Sequence, residues 1–172
     1  MSVNKCLSTG ERARLLSSAA ALAATLWAGS ASGGELLVGV GFDDPFGDEG
    51  AAAALVEARS GALADIAGLA LHLGAAGEVD GDGDLWLGAG VVALYPLGAD
   101  LRLEASFMPG YYDAGSGNDL GGGLQFRTEA GVSLAVSASL RIGVALSHKS
   151  NAGTRSANPG VETVSVRAIY AF

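Results

Sequence analysis

Leu101-Arg102-Leu103-Glu104-Ala105-Ser106-Phe107-Met108-Pro109-Gly110-Tyr111 changes character at every second residue. Its odd positions are Leu101, Leu103, Ala105, Phe107, Pro109 and Tyr111; its even positions are Arg102, Glu104, Ser106, Met108 and Gly110. A strand sends successive side chains to opposite faces, so this stretch has one greasy face and one polar or small face. The same period runs through Leu124–Val136, where Leu124, Phe126, Thr128, Ala130, Val132 and Leu134 alternate with Gln125, Arg127, Glu129, Gly131 and Ser133. A soluble sandwich would turn the greasy face inward. Here the other face carries Arg102, Glu104, Gln125, Arg127, Glu129, Arg141 and Arg167. Charges of both signs can pair inside a narrow barrel while the apolar face meets lipid.

Eight such segments follow one another: Leu36–Phe42, Ala52–Ser60, Ile66–Ala75, Leu85–Tyr95, Leu101–Tyr112, Leu120–Val136, Leu140–Ser150 and Glu162–Phe172. Ala51–Ala58 could equally start a short helix. The connections fall into two sets, with 61–65, 96–100 and 137–139 short and 43–51, 76–84, 113–119 and 151–161 longer and richer in Gly and Asp. Short turns at one end and long loops at the other are the pattern of outer-membrane barrels, whose long loops are extracellular. The expected fold is an all-β, eight-stranded antiparallel up-and-down transmembrane β-barrel. Sparse aromatic residues, at 6%, keep a soluble sandwich as the alternative.

Composition agrees. The chain of 172 residues is 49% hydrophobic and 16% charged with 27 glycines, which argues against disorder. Mean hydropathy is +0.36. The longest uncharged stretch after the leader, Leu85–Ala99, carries Gly88, Gly90 and Pro96 and is shorter than the ~20 residues a membrane helix needs. A closed sheet is then the remaining route into a bilayer.

Residues 1–32 read as a cleaved secretory signal, and 33–172 as the barrel. Lys5, Arg12 and Arg14 form a basic start, Leu15–Ala28 an apolar stretch and Gly29-Ser30-Ala31 a small-residue exit. Cys6 lies within it, so thiol and disulfide chemistry are excluded from the mature chain. Removal leaves 7 basic and 17 acidic residues, a net charge of −10. That balance repels a phosphate backbone and argues against nucleic acid as partner. Outward acidic groups are expected to meet divalent cations at a phosphorylated lipid surface.

The seventh segment alternates as Leu140, Ile142, Val144, Leu146, His148, Ser150, and the eighth as Glu162, Val164, Val166, Ala168, Tyr170, Phe172. Three polar groups therefore interrupt the greasy faces at one end, the end that strand parity makes extracellular. Pairing centred near Arg155 sets His148 opposite Glu162, with Cβ atoms ~4.5–5.5 Å apart. Ser150 is two residues along the same face. A serine hydroxyl needs a base, neutral imidazole is the usual one near neutral pH, and a carboxylate behind the imidazole fixes its tautomer. Asn151 is expected to donate its amide to the oxyanion of the tetrahedral intermediate.

The run His148-Lys149-Ser150-Asn151-Ala152-Gly153, followed by Asn158-Pro159-Gly160-Val161-Glu162, resembles the signature of the PagL-type lipid A 3-O-deacylases. That family has His-x-Ser-Asn-Ala-Gly with a glutamate fourteen residues after the histidine, as Glu162 is here. The resemblance extends back through Leu101–Val136. It implies an outer-membrane serine esterase that removes the 3-O-linked acyl chain of lipid A. Ser150 would be the nucleophile, His148 the base and Glu162 the orienting acid, with Asn151 and the Gly153 N–H lining the oxyanion hole. It calls for no cofactor and no metal. Its partners would be lipopolysaccharide and outer-membrane lipid, a homodimer being left open. Lys149 falls at the family's variable position. The competing reading is a small structural or surface-interaction barrel without activity.

Other features read as structural. His72 falls on the inward phase with Gly68, Ala70 and Gly74 as lumen filling. Asp80-Gly81-Asp82-Gly83-Asp84 suggests a calcium loop, but its twelfth position is Val91, where a bidentate glutamate is required. A hydrated loop is the expectation there. Gly121, Gly122 and Gly123 open a strand, with no helix after them to cradle phosphate.

Overall fold

The computed structural model describes residues 33–47 and 50–172; the proposed signal at 1–32 lies outside the described residues. The strands are β1 (Glu35–Asp43), β2 (Ala51–Arg59), β3 (Ala64–Ile66), β4 (Leu69–Asp80), β5 (Leu85–Leu97), β6 (Leu101–Asp113), β7 (Leu124–Ala135), β8 (Leu140–Ser150) and β9 (Val161–Ala171). Every pairing is antiparallel. β1 pairs with both β2 and β9, and β2 with β4, so eight long strands close on themselves. β3 is a stub that pairs with β4. The described residues contain no helix. Closure pairs both edges of each of the eight long strands, and Gly34 and Phe172 exchange two backbone hydrogen bonds of 3.1 Å where β1 meets β9.

The faces divide as the alternation requires. Leu103 and Phe107 are 45% and 51% exposed on the outside, whereas Glu104, Arg127 and Arg167 are 3%, 2% and 1% exposed within. An apolar exterior around a charged interior suits a solvent of hydrocarbon. Inside, Arg59 pairs with Glu57 at 2.6 Å and with Glu104 at 2.8 Å, and Arg102 with Glu35 at 2.5 Å. Arg127 and Arg167 both pair with Glu129. Toward the end where β8 finishes, an apolar plug of Trp86, Val92, Met108, Tyr112, Leu120 and Val161 fills the lumen. The Arg127 guanidinium lies 5.4 Å from the centre of the Trp86 ring.

The strand expected at Ala52–Ser60 forms as Ala51–Arg59, paired on both edges, to β1 and to β4, and the helix alternative for Ala51–Ala58 falls away. Two other segments differ in their bounds. The third segment reaches Asp80 instead of Ala75, and the loop expected at 76–84 shrinks to a tight turn with Gly83 at φ +82°. The added residues Ala76 and Gly77 are too small to carry a hydrophobic signal, yet their backbone pairs with Gly88 and Leu87. The sixth segment starts at Leu124, since Gly121 and Gly122 take positive φ and break the extended run.

Candidate active site

β8 and β9 form a hairpin whose register pairs His148 with Glu162. Their side chains lie on the outer face beside Leu146 and Val164, and remain 44% and 39% exposed. His148 Nδ1 stands 2.9 Å from Glu162 Oε1. With the carboxylate accepting from Nδ1–H, the imidazole keeps its Nε2 lone pair free to take a proton. Ser150 follows two positions along the same face, opposite Phe126 on β7. Its hydroxyl forms no hydrogen bond with His148 in this conformation; serine and base often close only when substrate arrives.

Lys149 explains why the two neighbours face outward. Its ammonium is buried in the lumen, 2.5 Å from Glu78 and 3.3 Å from Asp43. Alternation then sends His148 and Ser150 to the other side. No signal in the sequence gave this residue a part, because its partners are more than seventy residues away on β4 and over a hundred away on β1.

The turn after Ser150 is held differently from expectation. Asn151 is fully buried, and its Nδ2 donates to the carbonyls of Leu120 at 2.9 Å and Ala157 at 2.6 Å. Its Oδ1 accepts the Gly153 N–H at 3.0 Å. Its own N–H donates to Asn158 Oδ1 at 2.9 Å. The donors expected to meet an oxyanion are therefore engaged within the turn, and the reason is parity: the step that turns Ser150 out turns Asn151 in. Ala152 and Gly153, at φ +52° and +75°, fold the chain back over this anchor.

Gly160 went unnoticed in the sequence beyond its place in the signature. Its φ is +69°, and a methyl group there would lie 2.6 Å from His148 Cε1 and 3.2 Å from Nε2. The bare backbone is thus the wall against which the imidazole rests. His72 shares the inward face with buried Val92 and has its Nδ1 2.8 Å from the Ser60 carbonyl. In the aspartate-rich turn, Asp80 Oδ1 accepts from the N–H groups of Asp82 and Asp84, and Asp84 accepts from the Tyr112 hydroxyl and Gly115 N–H. Those carboxylates close the turn and brace β6.

The family model described as lipid A 3-O-deacylase (PagL) matches residues 73–171. No curated protein sequence matches. Among solved structures, the outer membrane enzyme PagL is similar at a TM-score of 0.64 and 20% identity, over 79% of this chain and 98% of that one. A structure from the de novo design of transmembrane β-barrels is similar at 0.55 and 16% identity, over 81% and 96%. Neisserial surface protein A is similar at 0.53 and 13% identity, over 81% and 96%. These three structural likenesses are likenesses of fold.

Proposed function

The chain belongs to the lipid A 3-O-deacylase (PagL) family, and we propose that it is an outer-membrane serine esterase that removes the 3-O-linked acyl chain of lipid A. The observation that carries this reading is the 2.9 Å contact of His148 Nδ1 with Glu162, facing outward beside Ser150. In the proposed reaction Ser150 Oγ attacks the ester carbonyl carbon as His148 Nε2 takes its proton. Glu162 holds the ring's tautomer and balances the imidazolium, which apolar surroundings would otherwise destabilise. The tetrahedral oxyanion collapses, the sugar hydroxyl leaves with the proton from His148, and an acyl-serine remains. Water, activated by the same imidazole, then releases the fatty acid and restores Ser150.

For the Gly153 N–H to serve the oxyanion it exchanges Asn151 Oδ1 for the charged oxygen, the stronger acceptor. Asn151 serves that step by shaping the turn. The ester and its chain approach sideways through the bilayer's outer leaflet, so no enclosed pocket is required.

The test is release of one 3-hydroxyacyl chain from fully acylated lipid A by the folded barrel, read by lipid mass. Ser150→Ala should abolish release while the barrel still migrates as a folded, heat-modifiable species. A folded wild-type barrel that leaves lipid A mass unchanged would favour the non-catalytic barrel instead.

A further inference from the structure

A chain with a formal net charge of −8 that handles an anionic lipid gains from positive charge where that lipid's headgroup lies. Among the described residues Arg59, Arg102, Arg127, Lys149 and Arg167 are paired with carboxylates inside the barrel. Arg141, at the opposite end from Ser150, is held by Ser133 and the Asp100 carbonyl. Arg155 is the remaining cation. It is exposed in the connection that follows Ser150, and it enters no ion pair or side-chain hydrogen bond among the described residues.

Its position is built. The Asn151 carboxamide bonds the Leu120 carbonyl, which ties this connection to residues 120–123. Gly121 permits the approach, since a methyl group there would lie 2.1 Å from the Ala157 carbonyl oxygen. Next to it, Arg155 Cγ and Nε lie 3.6 Å from where a side chain on Gly122 would begin. The arginine stem thus lies over Gly122, with room for one methyl group between them. Gly122 also borders a cavity of about 330 Å³ lined by Tyr111, Ser116 and Gly123. Asp113 and Asp119 line the same cavity and oppose an anion inside it, so a phosphate would meet Arg155 beyond the Gly122 rim and not within the cavity.

We propose that Arg155 binds a phosphate group on the substrate's sugar and so sets which ester reaches Ser150. This rests on the esterase reading above. A guanidinium offers a planar fork of N–H donors that matches two phosphate oxygens. Lys149, although adjacent to Ser150 in sequence, is spent on Glu78 and Asp43.

The experiment compares wild type with Arg155→Gln on phosphorylated lipid A and on the same lipid after enzymatic removal of its phosphates, in neutral detergent micelles. The loss in kcat/KM caused by Arg155→Gln should be about tenfold greater on the phosphorylated substrate, the worth of one charge-assisted hydrogen bond. Arg155→Lys should recover part of it. Binding of the same two lipids to the Ser150→Ala barrel, with and without Arg155→Gln, should show the same selectivity without any turnover. Equal losses on both lipids would overturn the proposal. So would a dependence on Arg155 with dephosphorylated lipid that arises only when phosphatidylglycerol is added, which would mean attraction to any anionic surface. If wild type releases nothing while the binding selectivity holds, the esterase reading fails and the phosphate site stands.

Discussion

At Gly160 a single methyl group separates two effects. A left-handed φ costs an L-residue roughly 1–2 kcal/mol, and here the added carbon also meets the His148 ring at 2.6 Å. Gly98, at φ +92° with nothing within 4 Å of an added Cβ, carries the first cost alone. Gly160→Ala should therefore lower kcat by about 10²-fold, the scale of a base displaced by about 1 Å, with KM little changed. Gly98→Ala should leave kcat where it was. Steady-state kinetics on lipid A, beside heat-modifiability of each barrel, read the difference; a matching fall in both variants would assign the loss to backbone strain. The outward set His148, Ser150 and Glu162 was legible because alternation is local. The Gly160 contact was not, because a glycine after Asn158-Pro159 reads as a turn until the hairpin register is known. Asn151 teaches the converse: its inward direction follows from the same alternation, and its chemistry as an amide donor pointed the other way.

Between β5 and β6 the pairing runs from Leu85↔Asp113 to Gly88↔Gly110 and resumes at Val91↔Phe107. Pro109 lies in the gap, and lacking an N–H it cannot donate to the ladder. Gly90 lies opposite this interruption, where an added Cβ would stand 2.1 Å from the Phe107 carbonyl oxygen. The two backbones approach there more closely than any side chain allows. Gly90→Val should force the strands apart and destabilise the barrel by about 1–3 kcal/mol. The temperature at which the folded band converts on heating should fall, and an unchanged conversion temperature would show that the sheet flexes to accommodate the side chain. Strands rich in Leu, Val and Phe were readable from their period. β4 was readable only as far as Ala75, since Ala76 and Gly77 show no contrast between faces, and only their partners on β2 and β5 reveal them as strand.

Across the whole barrel one carboxylate holds several arginines. Glu104 lies 2.8 Å from Arg59, 2.8 Å from Arg102 and 3.3 Å from Arg167, and accepts from Ser133 at 2.5 Å. These groups come from β2, β6, β7 and β9, so the network braces opposite walls of the cylinder. Glu104→Gln keeps the shape and removes the charge, leaving three guanidiniums short of a partner in a water-poor interior. A loss of about 3–5 kcal/mol is expected, measured by urea unfolding of the detergent-folded protein. A midpoint equal to wild type would mean that Glu35, Glu57 and Glu129 neutralise the cluster unaided.

Period, charge placement and the fourteen-residue spacing from His148 to Glu162 are properties of neighbouring residues, so the sequence by itself determined the barrel, its inside and outside, and the outward trio. Closure decided the rest. Which carboxylate meets Lys149, how Asn151 reaches the Leu120 carbonyl and why Arg155 alone among the described residues keeps an unspent charge depend on groups far apart in the chain, and the support Gly160 gives the imidazole depends on the hairpin's register. Strand register and barrel curvature bring such groups together, and neither is encoded in any one segment.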